Sequence, residues 1–409
     1  MIYYQNFHPI SDARSIAQAY KKWAKTYIDV PPQVGRAKNH IDRERRLRIG
    51  YMASGFHLNP VGQFIKPVIT NHNPKVVETY CYGEMQHEDD LTERLKQEAD
   101  HWRTTQDLGD DDVAELICHD EIDIPINSAC HTAGHRLEVL AHKPAPVLVA
   151  WMGGPPVTTG FETVDYFLTD RFQTPPKQVE LFVESVYRMP NDYTCYEPPT
   201  NPPDVSTLPA SDHGFVTFGC INPLTKLNDD VMALWSQILL TLPDAGLLLK
   251  TRALRDELTG RRILDRFAGL GSDPGRIDLM GGHREAMATC QCIDIALDPF
   301  PFTGGITTLE SLWMGVTMIA LDPPEFAVRH AISHLNNANC PQFTAKSPKQ
   351  YVDLAVSIAS DVEDLVRLRS TLREQMGSSL VCDTVSFTRD LESAYRTMRR
   401  RWCSRQRHP

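Results

Sequence analysis

The sequence predicts an α/β protein of two Rossmann-like domains facing a cleft, with an N-terminal helix and a C-terminal helical tail. Two observations on the chain predict the paired domains. Short β-branched runs alternate with helical segments of ten or more residues, which indicates βα units and parallel sheets. That alternation stops at a polar, proline-rich stretch near the middle and then restarts. A chain of 409 residues is also too long for one ordinary core.

The elements follow in order. SDARSIAQAYKKWAKTY (11–27) carries Ile16, Ala19, Tyr20 and Trp23 at helical spacing, and a polar connector follows it. RLRIGYMA (46–53) reads as the first strand, ending in the loop SGFHLNP before another helix. VVETYCY (76–82) is a strand, 89–103 an exposed helix and 111–120 a shorter one. IDIPIN (122–127), PVLVAW (146–151) and VDYFLTD (164–170) are strands. The stretch 196–214 holds five prolines among polar residues and reads as a linker between domains.

Beyond it, GFVTFGCIN (214–222) restarts the pattern. The helix 228–242 has Asn228 to cap it, Asp229 and Asp230 to suit its dipole, and Pro243 after its end. Its apolar stripe is Val231, Leu234, Trp235, Ile238 and Leu239. AGLLLK (245–250), RIDLM (276–280), IDIAL (293–297) and TMIAL (317–321) are further strands, with a helix to Leu270 stopped by Gly271. Helices near 347–360, 362–376 and 385–401 end the chain. The expected boundaries are a helical segment and connector at 1–45 and a first domain at 46–195. A linker at 196–213, a second domain at 214–380 and a helical, basic tail at 381–409 complete the expectation.

Composition narrows the class. The chain is 42% hydrophobic and 23% charged, and no apolar run approaches the roughly 18 to 20 residues that span a bilayer. The N-terminus MIYYQNFHPISDAR lacks the basic start and apolar middle of a signal peptide. Ten cysteines are scattered, and the nearest pair, Cys290 and Cys292, lacks metal-site spacing. A reducing cytoplasm and no metal site are therefore expected. A net charge of −10 argues against nucleic-acid binding. The basic ending RTMRRRWCSRQRHP reads as a solvated helix end that suits the helix dipole.

Ligands in open α/β sheets bind beyond the carboxyl ends of strands, so the loops there are the candidates. In TGGITTLE, Thr307 and Glu310 match a capping box, and for those residues alone that is the simpler reading. It leaves Gly304 and Gly305 unexplained. Glycines permit close backbone approach, and amides at a helix start bind phosphate. A carboxylate one turn in can accept two hydrogen bonds from a ribose diol. Neither GxGxxG nor GxxxxGK[ST] occurs. INPLTK supplies Asn222 and Lys226, a cation that could neutralise a diphosphate leaving group or be an ordinary surface lysine. SGFHLNP supplies His57, Asn59 and Pro60, and SACHTAGHR supplies His131, Thr132 and His135. A histidine there is either a general base or a hydrogen-bonded structural residue. WMGGPPVTTG, with Gly153, is a turn or a pocket wall.

FGCINPLTKLNDDVMALWSQILLTLPDAGLLLK, DIALDPFPFTGGITTLESLWMGV and LESAYRTMRRRWC together resemble the protein O-linked N-acetylglucosamine transferases and the related Spindly-type O-fucosyltransferases. RLRIGYMASGFHLNPVGQF and HTAGHRLEVLAHKPAPVLVAWMGGPPVTTG fit the N-terminal half of the same catalytic region, so the likeness runs from about 10 to 403. The resemblance implies a GT-B fold, inverting transfer and a nucleotide-sugar donor held mainly by the second domain, without a required metal. It implies that Lys226 contacts the diphosphate. Gly304, Gly305, Ile306 and Thr307, with Thr308 beside them, would hold phosphate and sugar, and Glu310 the ribose. The C-terminal helix would cross back to brace the first domain.

The chain also departs from the family's pattern. Where the first-domain loop of the family has an acid and a histidine, Gly55 and Asn59 stand here. Pro223 replaces an amide residue, Ala286 falls where a histidine is common with His283 near it, and Gly154 and Pro156 alter the W-L-G-Y-P-G-T loop. Members of the family also carry tetratricopeptide repeats, so the chain is expected to be a catalytic fragment or to receive its protein acceptor by another route, such as delivery by another protein. The expected activity is transfer of N-acetylglucosamine from its UDP sugar to Ser or Thr, with Lys226 stabilising the leaving group and His57 or His131 taking the proton. The alternatives are a nucleotide-sugar-binding protein impaired in transfer, a GDP-fucose-dependent transferase, and a non-hydrolysing sugar epimerase.

Overall fold

The computed structural model describes residues 2–27, 39–85, 87–152, 157–282 and 286–406. The chain divides into two units. Met1–Gln5, Ala13–Glu197 and Asp383–Pro409 form the first, and Asn6–Asp12 and Pro198–Cys382 form the second.

The first unit is built on β1 (Leu47–Ala53), β2 (Val77–Gly83), β3 (His101–Thr104), β4 (Ile124–Asn127), β5 (Val149–Trp151), β6 (Tyr166–Thr169) and β7 (Ser185–Arg188). Their order is β3-β2-β1-β4-β5-β6-β7, and every pairing is parallel. A parallel sheet is covered on both faces, which is why LRIGYMA reads as an almost unbroken apolar run and is buried nearly throughout. The strand order reverses between β1 and β4, so the loops after Ala53 and Asn127 leave the sheet at its switch point.

The helix expected over 89–103 is shorter. It starts on a capping box between Asp89 and Thr92 and ends at Glu98, and β3 takes the rest. The reason is Asp100. Its carboxylate accepts the Thr79 amide at 2.8 Å, and its own amide donates to the Thr79 hydroxyl at 3.0 Å, which pins the chain alongside β2.

The second unit repeats the plan with β8 (Thr217–Cys220), β9 (Gly246–Lys250), β10 (Ile277–Met280), β11 (Ile295–Leu297), β12 (Thr317–Leu321) and β13 (Thr344–Ala345). The order is β10-β9-β8-β11-β12-β13, again parallel. Here the reversal lies between β8 and β11. The helix Asp229–Thr241 starts where Asn228 accepts the Val231 amide, and it buries Val231, Leu234, Trp235, Ile238 and Leu239 against Phe218, Leu297 and Tyr351. The short edge strands β7 and β13 went unforeseen because two to four residues show no period.

The last helix, Thr384–Gln406, belongs to the first unit. Tyr395 meets Tyr51 of β1 at 3.2 Å, and Glu392 accepts the Asn73 amide at 2.7 Å. Its basic residues are engaged there: Arg396 donates to the Arg43 and Arg45 carbonyls, Arg399 pairs with Asp123 at 3.2 Å, and Arg400 pairs with Glu44. Among the described residues no helix is long and apolar enough to cross a membrane.

Candidate functional site

In the second unit the two loops at the switch point meet. β8 ends at Cys220, and a tight turn, Leu224–Lys226, brings Lys226 back under the sheet's carboxyl edge, where it is buried. Its Nζ donates to Asn222 Oδ1 at 3.0 Å and to the Thr303 carbonyl at 2.9 Å. It also lies 4.7 Å from the centre of the Phe302 ring, which stacks on Phe7. Lys226 is therefore not a surface lysine. Desolvation pushes its pKa below the ordinary lysine value, while Asp298 and Cys220 act in the opposite direction.

The turn after β11 is shaped by Gly304. Its amide donates to Asp298 Oδ1 at 2.7 Å, and a Cβ there would sit 2.7 Å from Thr308 Oγ1 and 2.8 Å from Asp298 Oδ1. No larger residue fits. Gly305 precedes the helix Ile306–Trp313 with open space around it, and no side chain caps that helix. The capping box is thus absent: Thr307 lies inside the helix and turns its hydroxyl to Asn222 Oδ1 at 3.3 Å. Glu310 sits one turn in and half-buried. The first amides of a helix have no intrahelical acceptors, so an uncapped start carries exposed donors and the positive end of the dipole.

Asn222, Lys226, Gly304 and Thr307 are therefore joined in one hydrogen-bonded constellation, with Thr303 and Asp298 as members the sequence reading did not assign. An acid directly after the strand IDIAL was the available signal for Asp298. His330 was also missed. It is half-buried, edge-on to Phe302 at 5.8 Å, and held well below the usual imidazole range by desolvation and by His334 and Lys226.

In the first unit Asn59 is the N-cap of the helix Pro60–Asn71, accepting the Gly62 amide at 2.9 Å. Its Nδ2 lies 3.1 Å from His57 Nε2, and His57 Nδ1 is buried without a hydrogen-bond partner among the described residues. A Cβ at Gly55 would come within 2.7 Å of Asn59 Nδ2, so Gly55 and Asn59 are mutually fitted. Pro60 is the exposed first residue of that helix.

The loop after β4 touches the loop after β1 where Ser54 donates to the Ala133 carbonyl at 3.1 Å. In that second loop His131 is buried, stacked on Tyr20 at 4.0 Å and edge-on to Trp23 at 5.2 Å. Its Nε2–H donates to the Thr159 carbonyl at 2.8 Å, which leaves Nδ1 as a lone pair without a hydrogen-bond partner among the described residues. Thr132 is half-buried and donates to the Ala129 carbonyl at 2.5 Å. Gly153, Gly154, Pro156 and His283 lie outside the described residues.

Burial pushes the His131 pKa down to about 4. The unfolded chain thus takes up a proton near pH 6.5 that the folded unit refuses until about pH 4. Stability from this group is complete above pH 6.5 and is lost as pH falls towards 4, at up to about 1.4 kcal/mol per pH unit. In His131→Phe, the fall of unfolding free energy between pH 6.5 and pH 5 is expected to be shallower by that amount. An unchanged acid slope in denaturant titrations would show that His131 does not titrate with folding.

The sequence profile of glycosyl transferase family 41 matches residues 22–197 and 207–391. The chain belongs to glycosyl transferase family 41. A probable UDP-N-acetylglucosamine–peptide N-acetylglucosaminyltransferase SPINDLY of Oryza sativa subsp. japonica is 35% identical over 393 residues, covering 94% of this chain and 42% of that protein. The corresponding SEC protein of Arabidopsis thaliana is 30% identical over 392 residues, covering 92% and 40%. A mutant O-GlcNAc transferase of Thermobaculum terrenum superposes with a TM-score of 0.93 at 35% identity, over 98% of this chain and 76% of that one. The α/β, GT-B-type architecture is therefore shared with that O-GlcNAc transferase. The chain spans about two-fifths of the length of the curated relatives it matches.

Proposed function

We propose that this chain transfers N-acetylglucosamine from UDP-N-acetylglucosamine to a Ser or Thr hydroxyl of a protein or peptide, with inversion at the anomeric carbon. One observation carries the reading. A buried lysine and an uncapped helix start converge on one turn at the switch point of the second sheet. The activities ascribed to these relatives, as probable UDP-N-acetylglucosamine–peptide N-acetylglucosaminyltransferases, support the same donor and acceptor classes.

The acceptor oxygen attacks the anomeric carbon as the bond to the diphosphate breaks. Lys226 and the amides around Gly305 and Ile306 take up the charge that develops on the leaving group. Asn222 and Thr307 orient Lys226 and the turn, Thr308 lies against Gly304 beneath it, and Glu310 accepts from the ribose. The acceptor's proton goes to His57, to His131, to water or to a donor phosphate oxygen. His283 and Gly153 remain candidates for nucleotide and acceptor contacts. With this positive charge in place, transfer is expected to need no metal and to persist in chelator. Ten cysteines, most of them buried as thiols, support a reducing cytoplasm as the working compartment.

A second reading has its own observation. Gly55 offers no side chain, and Asn59 is committed to a helix cap, where family members carry an acid and a histidine. That favours a protein that binds the nucleotide sugar without transferring it. A calorimetric panel of UDP, GDP, UDP-N-acetylglucosamine and GDP-fucose, followed by UDP release with a candidate peptide, separates the readings. The expected result is tight binding of the uridine pair and peptide-dependent release. Binding without transfer or donor hydrolysis selects the second reading, and preference for the guanosine pair selects an O-fucosyltransferase. In the same panel Glu310→Gln should weaken UDP about tenfold, one charge-assisted hydrogen bond, without lowering the melting temperature. A lower melting temperature with unchanged affinity would make Glu310 a structural residue.

A further inference from the structure

The carboxyl end of β11 holds an acid that the proposed mechanism does not use, and burial raises its pKa to about 7. Asp298 is completely buried. One oxygen, Oδ1, accepts the Gly304 amide at 2.7 Å, and the other, Oδ2, is buried without a hydrogen-bond partner among the described residues. Its backbone carbonyl accepts the Tyr351 hydroxyl at 3.2 Å, which fixes the residue against the core helix Pro348–Ala359. An unsatisfied buried carboxylate oxygen is costly and calls for a compensating charge nearby.

That charge is Lys226. The two hydrogen-bond acceptors of its Nζ, Asn222 Oδ1 and the Thr303 carbonyl, are both neutral oxygens. Neutral partners alone do not hold an ammonium in a buried place. Asp298 acts on Lys226 electrostatically, and each group opposes the loss of charge that burial imposes on the other. The other titratable groups facing the pair are Cys220, which raises Lys226, His334, which lowers Asp298, and His330, which Lys226 lowers.

We propose that Asp298 is a positioning residue of the transfer site, which shapes the donor turn through Gly304 and keeps Lys226 an ammonium at the place where the diphosphate leaves. The proposal rests on the donor-binding reading above and extends it to a residue that touches no substrate. Its two roles separate in one substitution. Asp298→Asn keeps an oxygen for the Gly304 amide and removes the charge.

The test is a double-mutant cycle of Asp298→Asn and Lys226→Met, read in two ways. Calorimetry gives the ratio of UDP to UMP affinity, which isolates the second phosphate. Asp298→Asn is expected to reduce that ratio about tenfold at pH 8, and to have no further effect when Lys226 is already methionine. A wild-type ratio in Asp298→Asn, or an equal loss in both backgrounds, would overturn the proposal and leave Asp298 as a turn former only. Melting temperatures of the same four proteins need no ligand. The double variant should be more stable than the sum of the single losses, and strict additivity would again overturn the coupling. If Asp298→Asn does not fold, the double variant decides. Folded, it supports the pair; unfolded, it shows that the carboxylate serves architecture independently of Lys226. Absence of nucleotide binding by the wild-type protein would sink the donor-binding reading, while the melting cycle would still judge the pair.

Discussion

Lys226→Met is expected to lower kcat for transfer on the order of 10²- to 10³-fold, the usual loss when one preorganised donor to a developing negative charge is removed. The expectation comes from where Lys226 lies. It is buried, aimed by two acceptors 3.0 Å and 2.9 Å away, and set beside a helix start that no side chain caps. A charge held in place without water acts more strongly on a leaving group than a mobile surface charge does. Methionine fills most of the space, so the loss should fall on kcat more than on melting temperature. Single-turnover measurements with a saturating UDP sugar check this, and wild-type turnover would remove Lys226 from the reaction.

Asp123→Ala is expected to destabilise the first unit by about 3 to 5 kcal/mol, the range for breaking a buried ion pair by removing one partner. Asp123 lies directly before β4 and is fully buried. Its Oδ1 accepts Asn39 Nδ2 at 2.9 Å and pairs with Arg45 at 2.5 Å, and Oδ2 accepts the Arg48 amide at 3.0 Å. Arg399, also fully buried, reaches the same carboxylate from the last helix. Alanine would leave that guanidinium buried without its anion. Denaturant unfolding should show a lower midpoint for this unit, with loss of the Thr384–Gln406 helix from its seat detectable by hydrogen exchange. An unchanged midpoint would mean that the His40 carbonyl, which accepts from Arg399, and the Arg43 and Arg45 carbonyls, which accept from Arg396, suffice to hold the helix.

The paired sheets were legible because each central strand is a continuous apolar run bounded by polar turns, as in LRIGYMA and GLLLK. The donor-side constellation was legible in composition, through its glycines and its acid, but its wiring was not. TGGITTLE fits a capping box by spacing, and the deciding fact is that the helix opens two residues earlier than that box requires, at Ile306. That shift turns Thr307 towards Asn222, eighty-five residues away in the chain. The Asp298–Lys226 pair was hidden for the same reason, since nothing local joins those positions. On the acceptor side, Asn59 shows only a polar residue before a helix, and its commitment to the cap emerges with the Gly62 contact.

The return of Thr384–Gln406 to the first unit also orders events during synthesis. The second unit, apart from Asn6–Asp12, is one uninterrupted stretch and can close its core as soon as residue 382 has emerged. The first unit begins earlier and must finish later, because Tyr51, His72 and Asp123 wait for Tyr395, Glu392 and Arg399. On the ribosome, therefore, the half that starts first is expected to mature last. Through the making of some 185 residues, the span of Pro198–Cys382, its sheet has an unroofed apolar flank, and that is the interval in which a chaperone would have most to cover.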